Sequence, residues 1–291
     1  MGFLASILGR LIQLIYQITG NNYGLSIVIF TIITKLILLP LNIKQAKSTE
    51  AINKVKPQYD KIMEKYKNNK EKQAEEITKL YAENKVSPMG GCLLALIQIP
   101  LIFAMFYIVK QPLTYVLNVN SEDVRIYTAE YLNVEDPSTI TDNQMKQYEI
   151  QIAKENNLLN MNFLGLNLGD IPGNAFNQDE NQKAPMVTLI VPILSFVLSI
   201  VQIKLNKKNS AQSGVTEEQA EMQKSMNLMM PLLSASVSYA TPLALGIYWL
   251  LGSVFAIFQQ IVIKNIMGNS ELKKEEKSLM LNSDKGGKKD E

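Results

Sequence analysis

The chain has 291 residues, with 29 Lys and Arg against 27 Asp and Glu, no His and a single Cys, Cys92. These counts exclude an intrachain disulfide, a Cys/His metal cluster, a Ser–His dyad and an HExxH zinc site. Long apolar runs alternate with very polar segments, the pattern of an all-α polytopic membrane protein with polar loops rather than a soluble globule.

In chain order, residues 1–22 come first. "GFLASILGRLIQLIYQITG" has no basic cluster ahead of its apolar part and no small-x-small cleavage site, which argues against an ordinary signal peptide. Arg10, Gln13 and Gln17 fall on one helical face, with Leu4, Ile7, Leu8, Leu11, Ile12 and Ile15 largely on the other. The expectation is an interfacial helix on the outer surface; an uncleaved signal anchor is the alternative.

Residues 23–41 form the first expected span. It carries Lys35, whose Cα lies roughly 9 Å inside the cytoplasmic end at about 1.5 Å of rise per residue. A lysine near mid-helix costs about 2.5–3.5 kcal/mol on insertion scales and usually faces a bundle interior or a wet cavity. Snorkelling of its long stem to the headgroups is the competing explanation. Gly24, Thr31 and Asn42 share its face.

Residues 42–89 carry eleven Lys and seven acids and read as a cytoplasmic helical hairpin. "QAKSTEAINKVKPQYDKIMEKY" is one helix, with Pro57 as an expected kink. "NKEKQAEEITKLYAENK" is the other, joined through Lys67-Asn68-Asn69. Ala51, Val55, Ile62 and Tyr66 against Ile77, Leu80 and Tyr81 give a thin apolar seam, so the hairpin is expected to be mobile. Lys54, Lys56, Lys61, Lys65 and Lys67, with Pro57, mark it as a candidate docking surface for a client or ribosome; a solvated connector is the plainer reading.

The second span, 90–112, has one internal amide, Gln98. Cys92 reads as a packed small residue. The segment 113–185 carries eleven acids and four basic residues and is expected outside, holding one helix that starts at a capping box, Thr141-x-x-Gln144. The third span, 186–205, aligns Thr188, Ser195, Ser199 and Gln202. A cytoplasmic loop, 206–224, follows. The last apolar run is broken by Thr241-Pro242, since proline removes a donor and disfavours helix just before it. It divides into a fourth span, 225–240, with Asn227, Ser234, Ser238 and Thr241 on one face, and a fifth, 241–264. The fifth aligns Trp249, Ser253 and Gln260, with Tyr248 and Gln259 on the next stripe. The tail 265–291 is charged and expected to be disordered from Ser270.

Each stripe alone is compatible with close helix packing. Together they define a candidate polar groove: Lys35, Thr31, Gln98, Ser195, Ser199, Gln202, Ser234, Tyr248, Trp249, Ser253 and Gln260. No span contains Asp or Glu, so Lys35 has no counter-ion within them and no aspartyl intramembrane protease is possible. No catalytic constellation, metal or cofactor site is indicated. Lysine placement orients the chain with the N-terminus outside and the C-terminus in the cytoplasm of a multi-pass cell-membrane protein.

Three stretches resemble the YidC family of membrane protein insertases, related to the mitochondrial Oxa proteins. "YGLSIVIFTIITKLILLPLNIKQAKS" resembles the family's first core span and the start of its hairpin. "VSPMGGCLLALIQIPLIFAMF" resembles its NPxGGC-type approach to the second span. "MNLMMPLLSA…TPLALGIYWLLGSVFAIFQQ" resembles its Met-Pro and YW…QQ final spans. The resemblance covers about residues 11–264. It implies five spans and a hydrophilic groove open to cytoplasm and lipid but closed outside. It also implies transient uptake of the polar segment of a nascent membrane protein, whose apolar helix then slides into the bilayer. Nascent membrane proteins and the lipid bilayer are the implied partners; the ribosome, a targeting receptor and the Sec translocon are further candidates, without direct contact to nucleic acid. Two departures stand out. The family commonly has an arginine where this chain has Lys35, so charge is kept but the planar bidentate fork is not. Family members often begin with a cleaved leader, which the sequence here does not display. A small-solute transporter or channel is the alternative class. Against it stand the lack of a visible inverted repeat and of an intramembrane acid to couple ions. A purely structural assembly factor is the third.

The orientation is testable by thiol labelling after removal of Cys92. Cysteines at Asn68 and Lys274 are expected to be protected from an impermeant reagent in intact cells, and one at Asn143 to react. Labelling at Asn68 would reverse the topology.

Overall fold

The computed structural model describes residues 2–86, 90–179, 183–209 and 217–286, with side chains omitted at 90–95, 206–209, 217–224, 226, 264 and 266–286. It is all-α apart from one small hairpin. The main helices are α1 (Gly2–Ile18), α2 (Tyr23–Lys65), α3 (Lys70–Glu83), α4 (Gly90–Lys110), α5 (Pro112–Tyr115), α6 (Ser121–Leu132), α7 (Asp142–Glu155), α8 (Ile190–Asn209), α9 (Glu217–Ala240) and α10 (Leu243–Gly286). Strands β1 (Asn162–Phe163) and β2 (Leu166–Asn167) pair antiparallel.

Among the described residues, three helices are long and apolar enough to cross a membrane, within Tyr23–Lys65, Met186–Leu205 and Leu243–Ile263. The apolar parts of α4 and α9 pack beside them, α4 on α2 and α9 on α8 and α10. Thr241 and Pro242 separate α9 from α10, so the break expected from proline is observed.

The helices overrun the expected membrane boundaries. The first expected span and the first hairpin helix are one 43-residue helix that contains both Pro40 and Pro57. Asn22 starts it, its Oδ1 accepting from Leu25 N–H at 2.8 Å. Helices α8 and α9 extend through much of the expected 206–224 loop; 210–216 and the side chain of Cys92 lie outside the described residues. The tail expected to be disordered continues α10 to Gly286. Its Glu-, Lys- and Leu-rich composition has high helix propensity, which the disorder reading discounted.

The hairpin turns where expected: Tyr66 ends α2 and Asn69 caps α3, accepting from Lys72 N–H at 3.0 Å. Its seam buries Val55 and Leu80. Tyr59 and Tyr81 stack with ring centroids 6.3 Å apart, and Gln73 Nε2 donates to Met63 O at 3.0 Å.

Helix α1 turns Ala5, Gly9, Ile12, Ile15 and Tyr16 toward α2, α4 and α5. Gly9 meets the Tyr115 carbonyl so closely that no side chain fits there. Its outward face mixes Phe3, Ile7, Leu14 and Ile18 with Arg10 and Gln17. The simple two-face division is therefore corrected: Ile12 and Ile15 serve the bundle, whereas Ile7 faces outward beside Arg10, because tertiary contact with α4 and α5 claims one side of the helix.

The 113–185 segment holds more than the single expected helix. Helix α7 begins with the expected capping box: Gln144 N–H donates to Thr141 Oγ1 and Thr141 N–H to Gln144 Oε1. Helix α6 precedes it, started by Asn120 and ended by Asn133 in the left-handed region at φ 54°. Its mixed polar and β-branched sequence has little amphipathic pattern; packing of Val124, Thr128 and Ala129 on α7 stabilises it instead.

One carboxylate joins α7 to α5, the short helix that follows α4. Glu149 on α7 is 1% exposed. It accepts from Thr114 N–H at 3.0 Å and Thr114 Oγ1 at 2.8 Å, just beyond α4. Burial pushes its pKa up to about 7, although the bonds from Thr114 and Leu113 and the charge of Lys146 pull the other way. Tyr115 is the other ionisable group facing it. A carboxyl raised above its ordinary 4.5 contributes stability that is complete at acid pH and lost as pH rises through about 7. Thermal unfolding in detergent should therefore show declining stability from below 4.5 to above 7. Glu149→Gln, which cannot ionise, should flatten that dependence; an unchanged slope would assign it to other groups.

Candidate functional site

Lys35 sits where α2 meets α10. It is half-buried, and a Cβ built on Gly252 would lie 3.5 Å from both its Cε and its Nζ. The lysine stem thus lies against the α10 backbone at Gly252, within ordinary van der Waals reach of where a Cβ would stand. Among the described residues no ion pair or hydrogen bond to the Lys35 amine is found. A desolvated, unpaired ammonium is costly, so the position stores a demand for an acceptor.

The two helices run in parallel. Asn42 Nδ2 donates to Gln259 Oε1 at 3.2 Å; these residues lie one heptad beyond Lys35 and Gly252. One turn before Gly252, on the same face of α10, Tyr248 is 3% exposed. Its hydroxyl makes no hydrogen bond among the described residues. Gln98 of α4 approaches that hydroxyl without reaching hydrogen-bond geometry. Thr31, one turn before Lys35, is buried and turns its hydroxyl to Ile27 O at 2.6 Å. Thr34 does the same to Phe30 O at 2.9 Å. Both threonines thus satisfy themselves on their own helix.

On α8, α9 and α10 the polar groups bond across helices. Ser238 Oγ donates to Ser195 Oγ at 3.0 Å, and Ser234 Oγ to Ser195 O at 3.4 Å. Trp249 Nε1 donates to Ser234 Oγ at 2.8 Å. Gln202 Nε2 donates to Ser253 O at 2.9 Å. Ser199 and Ser253 are each 9% exposed, and Gln260 is half-buried one turn past Ala256. The structure therefore brings Lys35, Gln98 and Tyr248 toward one α2–α4–α10 seam. It joins Ser195, Ser234 and Trp249 in a second cluster, and Gln202 with Ser253 in a third contact. The sequence reading missed Gly252 and the Asn42–Gln259 pair. The available signal was spacing: Asn42 and Gln259 each follow the other site positions by seven residues.

On the hairpin, Lys61, Lys65 and Lys67 are exposed and Lys56 is half-buried. Lys54 pairs with Glu50 at 2.9 Å. The amines of Lys65 and Lys72 lie 5.2 and 5.6 Å from the Tyr66 ring centroid. Pro57 is exposed inside α2.

The N-terminal ends of the two site helices are held by the 113–185 segment. Tyr23 N–H donates to Asn160 O at 3.1 Å. Leu243 N–H donates to Asp170 O at 2.8 Å and Ala244 N–H to Leu168 O at 3.0 Å. Asp170 is buried and paired with Lys154 at 2.6 Å.

Comparison with known proteins finds a family. The profile of the family described as 60Kd inner membrane protein matches residues 14–271. The membrane protein insertase YidC of Fusobacterium nucleatum subsp. nucleatum is 28% identical over 90% of this chain and 98% of its own length. The membrane protein insertase YidC of Clostridium perfringens is 28% identical over 88% of this chain and 84% of its own. The membrane protein insertase MisCA of Bacillus subtilis is 27% identical over 88% and 76%. These relatives are named as insertases rather than as catalytic enzymes. With three motifs in order and a profile match over most of its length, the chain belongs to the 60Kd inner membrane protein family of YidC-type membrane proteins.

Proposed function

We propose that this chain, a multi-pass protein of the cell membrane, is a membrane protein insertase. Its α2–α4–α10 seam transiently takes the polar segment of a nascent membrane protein while the apolar helix moves into lipid. The observation that carries the reading is the Lys35 amine: half-buried over Gly252, with no acceptor among the described residues. A resident counter-ion would consume that charge. A visiting acidic or polar segment supplies the missing acceptor and then leaves. A charge pair about 4 Å apart contributes ~1 kcal/mol in water and ~4 kcal/mol at an effective dielectric of 20, enough to bias a transient state without trapping it.

The proposed topology has five spans, 23–41, 90–112, 186–205, 225–240 and 241–264, with the N-terminus outside. The backbone caps on Tyr23, Leu243 and Ala244 support a seam closed at its outer end, where the 113–185 segment fastens α2 to α10. The exposed lysines of the hairpin support a first contact for clients on the cytoplasmic side. The ribosome, a targeting receptor and the Sec translocon are proposed as accessory partners at that side.

Two tests follow from the geometry. Insertion in vivo should be compared for two matched one-span clients, one with acidic residues in its translocated tail and one without. Lys35→Arg is expected to keep both, Lys35→Glu to lose both, and Lys35→Ala to lose only the acidic client. Gly252→Leu places side-chain atoms where the lysine lies and should act as Lys35→Ala does. Equal, wild-type insertion of both clients by Lys35→Ala would remove the lysine from the mechanism.

Deleting 57–83 should impair client capture while leaving a folded bundle, because among the described residues α3 packs chiefly on α2. Loss of protease-resistant protein in detergent would instead make the hairpin a structural support.

A further inference from the structure

Leu164 has the most exposed large apolar side chain among the described residues, at 86%. It sits at the tip of the β1–β2 hairpin with φ 52°, followed by Gly165 at φ 80°. Single exposed apolar residues are common and carry little information. Three observations set this one apart.

The first is the backbone. Left-handed φ favours Gly, and then Asn or Asp, whose short polar side chains bond locally. At the other positive-φ positions outside glycine the chain has Asn21, Asn118, Asn133, Asn157 and Lys85. Leu164 is the one apolar residue in this conformation among those described. In water, both the turn and the exposed side chain would be better served by Asn.

The second is position. The preceding residue, Phe163, packs onto Gly24 in the first turn of α2, so closely that no Cβ fits there. Adjacent Cα atoms are about 3.8 Å apart, so Leu164 lies at the level where the apolar run of α2 begins. The hairpin base is fixed there as well, by the bond from Tyr23 N–H to Asn160 O and that from Asn160 N–H to Tyr16 Oη.

The third is continuity. The outward stripe of α2 starts beside the hairpin with Leu25 and continues through Ile32 and Leu36, 40%, 46% and 52% exposed. In a spanning helix that stripe faces lipid.

We infer that Leu164 is a membrane anchor: the β1–β2 tip dips into the outer leaflet and fixes the depth of the 113–185 segment over the start of α2. An apolar side chain at the interface gains burial that offsets an unfavourable turn. The inference rests on α2 spanning the membrane and not on how clients are handled.

The test uses the full chain lacking Cys92, with single cysteines at 164, 143 and 36 carrying an environment-sensitive dye. The proteins are reconstituted into phosphatidylethanolamine–phosphatidylglycerol vesicles. Position 164 is expected to lose emission to lipids spin-labelled near the headgroup, as position 36 does to deeper labels, and to resist aqueous iodide relative to position 143. Iodide quenching equal to that at 143, without loss to spin-labelled lipid, would overturn the anchor. Protection from both quenchers would also overturn it, since a protein surface rather than lipid would then cover the tip. Leu164→Asn serves as a second variant: it suits the turn, so it should unfold in detergent no earlier than the parent, yet the dye moved to Asn162→Cys, an exposed position beside the tip, should shift toward iodide in that background. An unshifted dye would show that the side chain holds nothing in the bilayer.

Discussion

The first N–H groups of a helix have no partner within it, and in this protein the two site helices find theirs in the same segment. Tyr23 N–H goes to Asn160, Leu243 N–H to Asp170 and Ala244 N–H to Leu168. In an apolar environment each unsatisfied group would cost several kcal/mol, so these bonds are obligatory as well as favourable. They fix the relative height of α2 and α10 at one end. Because the helices run in parallel from that end, the register carries down their length. It places Lys35 over Gly252 and, one heptad further, Asn42 against Gln259.

That register separates two kinds of polar residue inside the bundle. The hydroxyls of Ser195, Ser234 and Ser238 and the Trp249 indole are spent on one another. Such contacts let α8, α9 and α10 approach closely without water, each contributing on the order of 0.6 kcal/mol. The Lys35 amine and the Tyr248 hydroxyl are not spent among the described residues. A seam with strong donors left over is poorly explained by packing alone. Under the proposed function the acceptor is a segment that comes and goes, since a permanent acceptor on a neighbouring helix would neutralise the charge and close the gap. The absence of Asp and Glu from all five expected spans points the same way.

The ends of the molecule follow different physical rules. The 113–185 segment is braced internally by the Glu149 carboxylate on Thr114 and the Lys154–Asp170 pair, and is tied to the bundle by the backbone bonds from Tyr23, Leu243 and Ala244 and by close packing of Phe163 on Gly24. The α2–α3 hairpin has Val55, Leu80 and a Tyr59–Tyr81 stack for a core, surrounded by exposed lysines and acids. Dense burial characterises one end, and sparse burial with abundant charge the other, the pattern that usually accompanies low local stability. The continuous helix α2 connects them, so the element that carries Lys35 is densely anchored at one end and sparsely packed at the other.

Much of this was readable from residue order alone. Hydropathy, the Thr241-Pro242 break and the capping box at Thr141 are local properties, governed by neighbours within a few positions, and the helices form where those signals lie. The mid-helix lysine was likewise visible as a cost that needed a purpose. What tertiary structure decided is which polar residues are satisfied and which are not. Thr31, Ser195 and Tyr248 carry equivalent stripe signals, yet one bonds the Ile27 carbonyl on its own helix, one a serine on α9 and one nothing among the described residues. Gly252 has no side chain to announce itself and gains meaning only from the lysine laid across it. The role of Leu164 depends on a turn geometry and on Phe163 meeting Gly24. Periodicity fixes which side of a helix a residue occupies, but a hydrogen bond needs a partner within about 3 Å, and only the packing of distant segments supplies or withholds one.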